Sequence, residues 1–164
     1  MGIPFNADEV FEMAEEIERN GSKFYRKAAS KFPALRKLLL DLAAMEDEHE
    51  KVFAAMRKEL SGEETEAPVF DPEGEAQMYL RVMADGSVFD VTADPAGKLA
   101  GVKTPHELLK TAMGVERDSI AFYVGLRESV SRSAGRDKVD AIIREEMKHI
   151  TALNDRLESL EQTR

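Results

Sequence analysis

Cysteine is absent from the 164 residues of this chain. That absence excludes disulfides, cysteine-held zinc, iron–sulfur clusters and thiol catalysis within it. Any bound metal must therefore be held by carboxylates and imidazoles. Imidazoles are scarce as well, with histidines only at positions 49, 106 and 149. Positive charge is in short supply: 23 Lys and Arg against 32 Asp and Glu leave a net charge of -9. No basic run interrupts this balance, which argues against a nucleic-acid partner bound through a broad basic face. Long apolar runs are missing too, so no membrane span is expected. The N-terminal stretch MGIPFNADEV lacks the basic and apolar regions of a signal peptide, and a cytoplasmic location is the default expectation. What remains is 43% hydrophobic and 34% charged, the balance of a soluble globular protein. Its length suits one domain spanning residues 1–164.

Apolar periodicity of three and four residues predicts four long helices, at about 7–31, 33–60, 105–130 and 136–161. The first opens at Asn6 with the capping box Asn6-Ala7-Asp8-Glu9, and the third opens at Thr104-Pro105-His106-Glu107, a second capping box with proline in its first turn. Residues 61–104 differ. The acidic, Pro/Gly-punctuated start GEETEAPVFDPEGE reads as loop. A short helix is expected at 73–84, and the stretch from Val88 to Lys103 reads as irregular connection. Two helix hairpins joined by a long crossover with a short extra helix describe an all-α, ferritin-like four-helix bundle.

The chain also repeats itself. Glu18 to Tyr25 reads E-R-N-G-S-K-F-Y and Glu116 to Tyr123 reads E-R-D-S-I-A-F-Y; Glu46 to His49 reads E-D-E-H and Glu146 to His149 reads E-M-K-H. The halves are offset by 98 residues between Glu18 and Glu116 and by 100 between Glu46 and Glu146. A lone E-x-x-H is weak in a glutamate-rich chain. Two copies in register, mid-helix on apolar stripes and each preceded by an E-x6-Y helix, form a strong signal. A buried unpaired carboxylate costs several kcal/mol, so these glutamates need a partner. Residues three apart on a helix point the same way. Two Glu–His pairs and two single glutamates can therefore hold a pair of divalent cations of the iron or manganese type. Such a pair offsets the four negative charges, and the pattern is the ligand plan of di-iron carboxylate bundles.

With Glu18, Gly21, Phe24-Tyr25, Glu46, His49, Glu116, Phe122-Tyr123, Glu146 and His149 in place, the sequence resembles the ferritin-like superfamily, and within it the rubrerythrin-type di-iron proteins. The resemblance covers about residues 7–60 and 105–160. It implies two iron ions, with manganese or mixed Fe/Mn/Zn occupancy as alternatives. Glu18 and Glu116 would be terminal or bridging ligands, and each Glu–His pair would complete one iron. It implies a reduced centre that reacts with hydrogen peroxide or dioxygen, and a homodimer. Two departures stand out. Full rubrerythrins carry a cysteine-ligated rubredoxin domain, which this chain lacks, so electrons would come from an external donor. Rubrerythrins also commonly place an extra glutamate one turn past a helix ligand, whereas positions 21 and 119 are Gly21 and Ser119. An iron-handling ferroxidase or storage protein, and a non-catalytic metal-binding bundle, stand as alternatives.

Tyr25 and Tyr123 lie two turns beyond Glu18 and Glu116. They are read as hydrogen-bonding partners of ligand carboxylates or as neighbours of the oxidant, or else as core aromatics with satisfied hydroxyls. His106, beside a capping box, reads as a surface residue, and Glu50 as a solvated one.

Overall fold

The structure, a computed structural model, describes residues 5–60, 71, 73–84 and 93–163. Helix α1 spans Ala7–Lys31. A single 3-10 turn, Pro33–Leu35, leads into α2 at Arg36–Lys58. Helix α3 covers Glu75–Ala84, α4 covers Pro105–Ser129 and α5 covers Arg136–Gln162. Both capping boxes form. Asn6 accepts from the Glu9 amide while the Glu9 carboxylate accepts from the Asn6 amide, and Thr104 and Glu107 do the same for α4. The turn before α5 closes at Gly135, whose φ of 97° is a left-handed conformation that glycine adopts without strain.

The crossover is more regular than its composition predicts. Residues 95–101, expected to be irregular, form a 3-10 segment opened by the Asp94 side chain, which accepts from the Ala96 amide. Tertiary docking accounts for this. Ala96, Leu99 and Val102 are buried, and Lys31 Nζ at the end of α1 donates to the Leu99 carbonyl at 2.6 Å. The acidic run at 63–66 and the strand-like alternation near 88–91 lie outside the described residues.

Buried apolar side chains form two large clusters rather than one. One gathers Val10 to Ile17 of α1, Phe53 and Met56 of α2, Phe122 to Val130 around the end of α4, and Val139 to Ile143 of α5, with Leu80 and Met83 of α3. The other gathers Phe24 to Ala29, Leu35 to Ala43, Leu108 to Val115 and Leu153 to Leu157, with Leu99 and Val102. The start of α1 therefore shares a bundle end with the end of α2, the end of α4 and the start of α5. The helix directions are up, down, down, up. Only a crossover running the length of the bundle can connect α2 to α4 in that order, as in ferritin-like folds. Helix α3 packs at one end of this path and the 3-10 segment at the other. Between the two apolar clusters, at mid-height on all four long helices, lies a layer of buried polar residues.

Candidate metal centre

That layer consists of Glu18 from α1, Glu46 and His49 from α2, Glu116 from α4, and Glu146 and His149 from α5, none more than 3% exposed. The register explains the convergence. Each residue occupies a core position of its own helix, so closing the bundle aims all six at one point. Their ligand atoms fall into two groups, each within 4.8 Å: Glu18, Glu46, His49 and Glu146 in one, and Glu46, Glu116, Glu146 and His149 in the other. Glu46 and Glu146 are thus common to both groups, whereas Glu18 with His49, and Glu116 with His149, each serve one.

The imidazoles present Nδ1 to the carboxylates. His49 Nδ1 lies 2.7 Å from Glu146 Oε1 and 3.5 Å from Glu18 Oε2. His149 Nδ1 lies 3.2 Å from Glu46 Oε1, 3.4 Å from Glu116 Oε1 and 3.2 Å from Glu146 Oε2. The two rings are nearly parallel, with centroids 5.6 Å apart. The tyrosines cross between hairpins. Tyr25 of α1 donates to Glu116 of α4, and Tyr123 of α4 donates to Glu18 of α1. Each hydroxyl thus meets the carboxylate contributed by the opposite hairpin.

Four carboxylates in one dry space perturb one another strongly. Burial, reinforced by the charges of Glu146, Glu116 and Glu18, holds the Glu46 carboxyl well above its usual range. Burial and the Glu146 charge push Glu116 up to about 8. Glu146 goes down: burial and the Glu18 charge oppose its ionisation, but its bonds with Glu116, His149 and His49 outweigh them. Burial would discharge the histidines, yet the neighbouring carboxylates overcome it, raising His49 to about 11 and His149 to about 9. Burial, then the Glu116 and Glu18 charges, keep Tyr25 and Tyr123 protonated well past the ordinary phenol range, as donors must be.

A divalent metal pair fits these residues. Among the described residues, eight buried side-chain polar atoms lack a hydrogen-bond partner. Seven of them belong to Glu18, Glu46, His49, Glu146 and His149. Six of the seven face the two ligand groups, where they meet one another only in the ion-pair contacts given above, at 2.7 to 3.5 Å. Gly21 makes room for this arrangement, since a Cβ there would stand 2.5 Å from Glu46 Oε2.

Sequence reasoning missed one participant. Glu145 extends from the bundle rim to His49, with Oε2 2.6 Å from Nε2. It lies off the apolar stripe, so periodicity does not flag it; its only signal is being the neighbour of Glu146. His106 stays out of the centre and meets Glu161 at 3.1 Å. Glu50 is half-buried and paired with Arg19 at 2.9 Å rather than freely solvated, because α1 passes beside it. Among the described residues, no helix is long and apolar enough to cross a membrane.

Fold and site together define a ferritin-like four-helix bundle with a buried carboxylate–histidine cluster able to hold metal. Comparison with known proteins agrees. The rubrerythrin family model matches residues 9–86, the stretch containing Glu18, Glu46 and His49. Among solved structures, the chain matches a candidate ferritin-like diiron-carboxylate protein from Thermotoga maritima, with a TM-score of 0.74 and 23% identity over 96% of this chain and 98% of that one. No curated protein matches the sequence. The resemblance seen in the sequence is borne out for the ferritin-like fold and, over residues 9–86, for the rubrerythrin family pattern.

Proposed function

We propose that this chain is a di-iron carboxylate oxidoreductase whose substrate is hydrogen peroxide or dioxygen. The observation that carries the reading is the convergence of six buried side chains from four helices on two overlapping groups of candidate ligand atoms. Glu46 and Glu146 would be shared between two metal positions; Glu18 with His49 and Glu116 with His149 would complete one position each. When bound, two ferrous ions supply the electrons that reduce such an oxidant. The chain's own residues prepare for this. The histidines give up the Nδ1 proton that the carboxylates otherwise stabilise. Tyr25 and Tyr123 hold the terminal carboxylates in place, and the apolar clusters on either side exclude bulk water. By resemblance, turnover draws its electrons from an external donor. By resemblance the protein acts as a homodimer, and by default in the cytoplasm; iron rather than manganese or a mixed pair is also part of the proposal.

Metal analysis of protein produced with iron tests it. About two metals per chain are expected, falling sharply in Glu46→Ala/Glu146→Ala, with rapid oxidation of the ferrous protein by peroxide or dioxygen and turnover when a reductant is supplied. The absence of stoichiometric metal after reconstitution would sink the proposal.

A further inference from the structure

The two halves of the centre repeat each other closely: one histidine, one unshared glutamate, two shared glutamates and one crossing tyrosine apiece. They differ at the outer face of the imidazoles. His49 Nε2 meets Glu145 Oε2 at 2.6 Å. His149 Nε2 is equally buried and has no hydrogen-bond partner among the described residues. The 100-residue offset that maps Glu46 onto Glu146 maps Met45 onto Glu145. Methionine, the counterpart in sequence, carries only a weakly accepting thioether. Another mismatched pair, Gly21 and Ser119, does not restore the balance, since the Ser119 hydroxyl donates to the Val115 carbonyl of its own helix.

We propose that Glu145, by holding the outer nitrogen of His49, makes the two metal positions unequal, so that the position served by Glu18 and His49 holds a divalent cation more tightly than the one served by Glu116 and His149. The inference rests on the di-metal reading above. A carboxylate on the far nitrogen of a ligating histidine fixes the tautomer with Nδ1 free for the metal, sets the ring orientation and raises its basicity. Such an outer partner is worth about 10–100-fold in metal affinity. Glu145 is a positioning residue here: it touches the ligand, not the metal. Its side chain is 46% exposed, so replacing it removes no core packing.

With only three histidines in the chain, their ring resonances report occupancy position by position. Zn(II), a diamagnetic probe, is titrated into the metal-free full-length protein. At one equivalent the His49 resonances are expected to take the bound shift well before those of His149. Glu145→Ala should reduce that preference by about 10–100-fold while two Zn(II) still bind. Met45→Glu, which places a carboxylate at the sequence counterpart of Glu145, should strengthen the second position. Circular dichroism of the metal-free variants checks that the bundle is intact. Equal filling in the parent protein, or a preference unchanged in Glu145→Ala, overturns the inference while two bound Zn(II) leave the di-metal reading standing. Failure to bind Zn(II) at all removes both.

Discussion

Gly21 sits one turn beyond Glu18 on α1, against Glu46, one of the two carboxylates that both ligand groups share. A methyl group there would press on Glu46 Oε2 and approach its carboxyl carbon at 3.3 Å. In the metal-free protein the end of a glutamate side chain can move aside, and alanine is the better helix former by about 0.5–1 kcal/mol. Gly21→Ala is therefore expected to leave chemical denaturation of the metal-free protein within about 1 kcal/mol of the parent. Metal affinity should fall, because the displaced carboxylate serves both positions. Parallel denaturation and metal-binding titrations read the two effects separately. A variant that binds metal as tightly as the parent would show that Glu46 does not need the space Gly21 leaves.

Among the helices, α3 provides a control, because it packs on the bundle without contributing to the centre. Its Tyr79 lies across Gly125 of α4, where an added Cβ would come within 2.5 Å of the ring and 3.0 Å of Leu80. The Tyr79 hydroxyl donates to the Ala121 carbonyl at 2.5 Å. Gly125→Ala should push α3 off α4 and cost about 1–3 kcal/mol in thermal or chemical denaturation, the usual penalty for overpacking. Metal stoichiometry should stay at the parental value. Loss of metal in this variant would mean that α3 supports the centre through α4 more directly than its contacts indicate.

Over the whole molecule, the buried charge couples stability to pH with a definite sign. Glu116 titrates at about 8 in the fold against an ordinary 4.5, and His149 and His49 at about 9 and 11 against 6.5. For each group the native state keeps a proton that the unfolded chain has lost, so stability falls as pH rises. The cost of burying Glu116 grows from pH 4.5 and is complete by about 8. The histidine contribution is full below 6.5 and is lost by about 9 and 11. The thermal midpoint of chelated protein is expected to drop between about pH 6 and about pH 8. Cations that displace these protons should reverse the trend, so the gain in midpoint on adding metal should widen over the same range. Thermal scans with and without chelator decide it. A metal-free midpoint that rises across that range would contradict the buried-proton account.

Much of this was legible in the residues because helices write their periodicity into the sequence. The four stripes, both capping boxes and the paired E-x-x-H motifs follow from local spacing, and spacing alone puts Glu46 and His49, or Glu146 and His149, on one face. What spacing cannot contain is a relation between helices. That Tyr25 serves Glu116 and Tyr123 serves Glu18, that Glu46 and Glu146 are the shared carboxylates, and that Glu145 leans on His49 all depend on how distant segments meet across the bundle. The order of residues 95–101 belongs in the same category, since a weak local signal was overridden by docking against α1. The sequence by itself determined which residues become helix and which six charged or polar groups are carried into the interior. Only the tertiary structure decided which of them touch, because hydrogen bonds and shared ligand geometry are set by distances between elements, and one-dimensional periodicity has no term for those.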